Sequence, residues 1–151
     1  MKTQYAWAAG MFDGEGCVVI RKPSASVRAF VVQLSVEGIH RPGIEHFARI
    51  AGVGTVHPDR YSTKKGRQKW VWQAAARKAE KVLRAMLPYL IIKRKEVELA
   101  LEFLSLPLIH RGRGGKRTTQ ETAARMGFHR RLQELKRYEF TPGTQILQRP
   151  D

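Results

Sequence analysis

Apolar positions recur along the chain with two different periods. From Thr3 to Asp13 they follow helical spacing without a proline. At 100° per residue, Ala6, Ala9, Gly10 and Asp13 fall within one arc of about 100° that is almost bare of side chain. Tyr5, Trp7, Met11 and Phe12 take the rest of the circumference, so bulky residues can enter a core while the small face admits another backbone. Gly14 and Gly16 then break the helix. The period changes to two in CVVIRK and RAFVVQLSV, which predict β-strands separated by a turn at Pro23 to Ser26. In the second of these, Arg28, Phe30, Val32, Leu34 and Val36 are mostly apolar, whereas Ala29, Val31, Gln33, Ser35 and Glu37 are smaller or polar. One face is core and the other is available for contacts.

Helical spacing returns after Pro42, where Ile44, Phe47 and Ile50 form an apolar stripe that runs to about Ala51 and stops at GVG. VGTVHP and QKWVWQAA predict a second strand pair joined by the basic loop DRYSTKKGRQ. AARKAEKVLRAMLPYL predicts a helix ending around Pro88, KRKEVELALEFLSL another, and TTQETAARMGFHRRLQELKRYEF a last one. The order αββαββα with further C-terminal helices predicts an α+β domain, with helices on one face of an antiparallel sheet. Residues 1–106 form its core. Residues 107–151 supply a basic connection, HRGRGGKR at 110–117, and a C-terminal helix packed on the same domain. No repeat of 20 to 50 residues is present.

Charge narrows the partner. Among 151 residues, 28 Lys and Arg stand against 13 Asp and Glu, a formal charge of +15, which favours a polyanion, nucleic acid first and an anionic membrane surface second. A single cysteine, Cys17, excludes an intramolecular disulfide and a cysteine-rich zinc site, and reads as a packed free thiol in a reducing compartment. No apolar run approaches membrane-spanning length, so a soluble intracellular protein is expected.

The run AAGMFDGEG, residues 8–16, closes on two acidic residues separated by a glycine. It matches in register the nine-residue motif of the LAGLIDADG homing endonucleases. With the αββαββα order, the GVG after the second helix and LPYLIIKRKE at 87–96, the chain resembles that family from about Tyr5 to Leu106. One motif only is present. The resemblance implies a sheet curved as a saddle over DNA, and a homodimer whose paired motif helices meet at Ala6, Ala9, Gly10 and Asp13. It implies hydrolysis of phosphodiester bonds in both strands of a long, partly palindromic duplex, the chemistry of intron or intein mobility. No small-molecule substrate and no membrane are expected.

In the family the last acidic position of the motif binds metal, which falls on Glu15, with the Gly14 carbonyl as a second ligand and Asp13 in a structural role near the paired helices. Mg²⁺ is the expected cofactor; Mn²⁺ or Ca²⁺ can occupy the same site, Ca²⁺ without turnover. Lys93 matches the lysine that orients water near the scissile phosphate, with Arg94 and Lys95 as alternatives. Where the family has a polar residue after the second strand, this chain has Gly38, leaving Glu37, His40 or Arg41 to hold the water network. By strand parity and family register the base readers are Arg21, Gln33, Ser35, His57, Lys69 and Gln73, while Arg28, Lys64, Lys65 and Arg67 in the hairpin turns reach phosphates or outer bases. Trp70 and Trp72 fall on the core parity. Arg111, Arg113, Lys116, Arg117 and the HRRLQELKR helix read mainly as a solvated basic surface. The competing expectation is a non-catalytic binder on the same scaffold, an intron maturase or a DNA-binding regulator, and Gly38 is the feature behind it.

Overall fold

The alternation along each strand sorts its side chains between two faces, and a computed structural model describing residues 2–24, 29–60, 66–107 and 118–139 shows where each face turns. Its elements are α1 (Lys2–Glu15), β1 (Gly16–Arg21), β2 (Val31–Gly38), α2 (Arg41–Ala51), β3 (Thr55–Pro58), β4 (Trp70–Ala75), α3 (Arg77–Met86), a 3₁₀ turn (Leu87–Tyr89), α4 (Arg94–Ser105) and α5 (Thr119–Glu139). The four strands form one antiparallel sheet in the order β1-β2-β4-β3. Val18, Ile20, Val32, Leu34, Val36, Trp72 and Ala74 are buried beneath the helices. The opposite parity is exposed or half-buried, apart from Val71. The fold is the α+β arrangement expected.

The helices are tied to the sheet through an aromatic line. Phe12 of α1 stacks on Phe47 of α2 at 6.4 Å, and Phe47 meets Trp72 of β4 edge-on at 4.8 Å. Truncating any of these large, fully buried rings costs about 3–5 kcal/mol. Trp72 also donates its indole N–H to the Val53 carbonyl at 2.9 Å, satisfying the one polar atom it buries. Gly54 next to it must be a glycine, because its φ is +89° and a Cβ would lie 2.5 Å from the Gln73 carbonyl oxygen.

Where α1 ends, β1 begins at the next residue. The passage from helix to strand brings the backbone at Gly16 against Phe12, and a Cβ at Gly16 would stand 2.4 Å from the Phe12 carbonyl oxygen. Thus the last glycine of the motif is needed for close approach.

In place of one helix to about Pro88, α3 stops at Met86 and a 3₁₀ turn follows. Pro88 has no backbone N–H to donate to the Arg84 carbonyl, so the α-helical ladder cannot continue through it. α5 packs against α4 and along the edge strand β1, where His129 Nδ1 lies 2.7 Å from the Ile20 carbonyl oxygen. The basic connection at 110–117, with Arg111, Arg113, Lys116 and Arg117, lies outside the described residues. No described helix is long and apolar enough to cross a membrane.

Candidate active site and nucleic-acid interface

The C-terminal tip of α1 gathers the acidic residues of the motif and separates their roles. Asp13 is buried and accepts three backbone hydrogen bonds from the turn before α4: Ile91 N at 2.8 Å and Ile92 N at 3.2 Å on Oδ2, and Lys93 N at 2.9 Å on Oδ1. One carboxylate thereby satisfies three donors across 78 or more residues of sequence, and its charge strengthens each bond. Lys93 returns the contact, donating from Nζ to the main-chain oxygen of Asp13. An ammonium there also faces the negative end of the α1 dipole.

Glu15, two residues on, is exposed, and no described residue engages its carboxylate. It lines a cleft of about 480 Å³ with Gly14, Gly16 and Cys17 on one side and Ser35, Glu37, Gly38, Ile39 and Lys69 on the other. No group of three or more His, Cys, Asp or Glu gathers among the described residues, so these offer no closed metal cage. A hydrated hard cation needs less. A free carboxylate at a helix C-terminus, where the last carbonyls lack intrahelical donors, is an oxygen donor set of the right charge. Glu15 and the Gly14 carbonyl fit Mg²⁺ on those grounds.

Of the three residues expected to compensate for Gly38, the structure leaves one in the cleft. His40 is spent as the N-cap of α2, its Nδ1 accepting from Gly43 N at 3.2 Å. Arg41 pairs with Glu45 at 2.7 Å and spreads its guanidinium over Trp70 at 4.2 Å. Glu37 alone remains, exposed and bonded to no described residue. Among the alternatives to Lys93, Arg94 turns back to the carbonyls of Leu90 and Pro88, and Lys95 lines a groove between α4 and α5.

The cleft opens onto the second face of the sheet. The register places Cys17, Ser35, Gln73 and Thr55 in one row across all four strands, and Glu37, Val71 and His57 in the next. Arg21 donates to Gln33 Oε1 at 2.9 Å, which fixes both side chains on this face. Lys69, just before β4, and Arg67 are exposed at its rim. Thus Arg21, Gln33, Ser35, His57, Lys69 and Gln73 share one surface as parity predicted. Trp72 is fully buried, and Trp70 is half-buried under Arg41. Thr55 joins the same surface, and its parity with His57 is the sequence signal for it. Arg28, Lys64 and Lys65 lie outside the described residues.

The small arc of α1 is divided. Ala9 and Asp13 are buried within this chain, because the turn at 91–93 and the core cover that side; Ala6 and Gly10 are exposed, and Gly14 continues them. A Cβ at Gly10 or Gly14 would meet nothing within 4 Å. The open small stripe is therefore Ala6, Gly10 and Gly14, and not Ala9 with Asp13. Near its end Ile91 is 85% exposed and Ile92 58%, two apolar side chains held out by the Asp13 bonds, which no pattern in the sequence had marked. Cys17 is a half-buried free thiol whose Sγ lies 3.3 Å from Lys136 Nζ.

No protein-family model matches the chain. No curated protein matches it either. Solved structures do. The chain is similar to the homing endonuclease I-CvuI in complex with its target in the presence of Ca, with a TM-score of 0.68 and 19% identity over 95% of this chain and 85% of that one. It is similar to the archaeal intron-encoded homing endonuclease I-Vdi141I complexed with DNA, with a TM-score of 0.68 and 13% identity over 94% and 87%. A third likeness is to the homing endonuclease I-TnaI, with a TM-score of 0.58 and 16% identity over 89% and 96%. At such identities the likeness establishes the fold, the one that the motif resemblance implied.

Proposed function

We propose that this chain is a site-specific DNA endonuclease that acts as a homodimer and hydrolyses one phosphodiester bond in each strand of a long, partly palindromic duplex with a divalent metal. The observation that carries this is the tip of α1: a carboxylate that no described residue engages, Glu15, beside a lysine locked in place by Asp13, at the mouth of a cleft continuous with a polar sheet face. Support comes also from the fold shared with I-CvuI and I-Vdi141I.

The sheet face would lie along the major groove, where each base pair presents its own donors and acceptors. Gln33, Ser35, His57, Gln73 and Arg21 would read base edges, with Lys69. Arg67, with Arg28, Lys64 and Lys65, would hold phosphates or outer bases. The formal charge of +15 supports that electrostatic grip. Two copies meeting along Ala6, Gly10 and Gly14 would set their α1 tips side by side, one Glu15 for each strand cut.

Hydrolysis requires water to attack phosphorus and the bond to the 3′ oxygen to break, with negative charge growing on the phosphoryl oxygens. A hard divalent cation held by Glu15 and the Gly14 carbonyl would supply neutralisation of that charge. Lys93 Nζ, held at the tip by the Asp13 oxygen, supplies a fixed positive charge and N–H donors towards the phosphate or the water. Asp13 accepts from backbone and keeps that lysine in position.

Selection of cleaved sites from a random duplex library with Mg²⁺ tests the reading. The wild type is expected to enrich one partly palindromic site, and Glu15→Gln is expected to bind that site without cutting it. Tight binding with no cleavage of any sequence by the wild type would instead identify a non-catalytic binder on this scaffold.

A further inference from the structure

We propose that Glu37 is a base-selecting residue, which accepts from the exocyclic amine of a cytosine in the major groove and so fixes a C·G pair near the cut in each half-site. The proposal rests on the DNA-binding part of the reading above, to which it adds a residue and a base identity. Three observations lead to it. Glu37 is the last outward-facing position of β2; its cross-strand partner on β4 is Val71, with His57 beyond it on β3. Val71 is apolar and buried although it belongs to the outward row, so Glu37 and His57 are the polar ends of that row. They border one open cleft of about 670 Å³ on the sheet face. The Glu37 carboxylate is exposed and no described residue engages it, whereas Glu45, Glu80, Glu96 and Glu102 each lie within ion-pair distance of a cation of this chain. An acid is a poor strand former, and one opposite valine gains no cross-strand charge pair. Fold stability therefore gives no account of it.

The base follows from electrostatics. A surface that meets a polyanion repels a carboxylate unless a donor receives it. Base edges in the major groove offer only two donors, the amines on cytosine N4 and adenine N6. Guanine and thymine present acceptor oxygens there, and adenine sets its N7 acceptor beside the amine, whereas cytosine offers the amine alone. A carboxylate thus ranks cytosine first and adenine second, and rejects guanine and thymine. The strand sets the position along the groove. The row of Ser35 and Gln73 lies two residues back along β2, about 7 Å, or about two base-pair steps of ~3.4 Å. Glu37 also borders the cleft of Glu15, so its base pair lies inside the one read from Gln73, on the side of the scissile bond.

The test is a selection by binding, in Ca²⁺, from a duplex library randomised across the half-site. It compares wild type, Glu37→Ala, Glu37→Gln, Glu37→Arg and Gln73→Ala, with circular dichroism as the check on folding. Wild type is expected to favour cytosine about ten-fold or more over guanine and thymine at one inner pair of each half-site. Glu37→Ala is expected to flatten the preference at that pair. Glu37→Gln is expected to move it to adenine and Glu37→Arg to guanine, because an amide and a guanidinium match those edges with two hydrogen bonds each. Gln73→Ala is expected to leave the inner pair unchanged and relax one about two steps farther out. The same base profile in wild type and all three Glu37 variants would overturn the assignment, and so would a wild-type preference for guanine or thymine at the pair that Glu37→Ala alters. Either result, with a site still enriched, leaves the DNA-binding reading intact. Enrichment of no site by the wild type would overturn both.

Discussion

Asp13 and Lys93, 80 residues apart, hold each other twice: the Asp13 carboxylate accepts the Lys93 backbone N–H at 2.9 Å, and Lys93 Nζ donates to the Asp13 main-chain oxygen. The carboxylate thus fixes the turn, and the turn fixes the ammonium. Removing it frees both. Asp13→Ala takes the acceptor from three backbone N–H groups at once, which is expected to cost about 3 kcal/mol and lower the melting temperature by on the order of 10 °C. Asp13→Asn keeps one acceptor oxygen and is expected to lose about half as much. Thermal melts of both variants check the order; equal melting of Asp13→Ala and wild type would remove Asp13 from its structural role.

Gly16 gives a second stability prediction, of opposite physical origin. A methyl group there collides with the Phe12 carbonyl at 2.4 Å and with its ring at 2.5 Å. Neither neighbour is a free end, since Phe12 is fully buried. Gly16→Ala is expected to destabilise by about 1–3 kcal/mol, whereas Gly14→Ala, with open space around it, is expected to leave stability within about 0.5 kcal/mol of the wild type. Urea denaturation of the pair measures the contrast.

Association of two copies is expected to use Ile91 and Ile92 beside the open stripe of α1. Apolar side chains this exposed, on a turn held by three hydrogen bonds, lower in energy when covered. Ile92→Lys together with Ile91→Glu is expected to shift sedimentation from dimer to monomer at micromolar concentration without changing the far-ultraviolet circular dichroism. A wild type that sediments as a monomer at every concentration would exclude the homodimer.

What was legible in the sequence follows from what periodicity encodes. A period of two tells which residues share a sheet face, so parity alone puts Gln33, Ser35, His57 and Gln73 on one surface and Trp72 in the core. Helical spacing likewise grouped Ala6, Ala9, Gly10 and Asp13, but it cannot say where the covering element stops. The turn at 91–93 takes up Asp13 and the core takes up Ala9, and only the folded chain brings them there. The same limit hides the duty of Arg41, whose partner, the face of Trp70, is brought to it by tertiary geometry. The His40 cap on Gly43 N is local, three residues on.

The sheet face and its rim are expected to fail in different ways when mutated, which separates reading from gripping. Gln73 lies mid-strand in the row with Ser35 and Thr55, where an amide can make two hydrogen bonds to one base edge. Gln73→Ala is expected to relax preference at one base pair of each half-site, by about 1–3 kcal/mol against the wrong base, and to leave the salt dependence of binding unchanged. Arg67, exposed before β4, is expected to meet phosphate. Arg67→Ala should weaken binding to matched and mismatched sites alike and flatten the slope of log affinity against log salt by about 1 per subunit. Both are read from anisotropy titrations over a salt series with a matched and a singly mismatched duplex. If Gln73→Ala flattened the slope and Arg67→Ala relaxed the base preference, the sheet face would not be the surface that meets the groove.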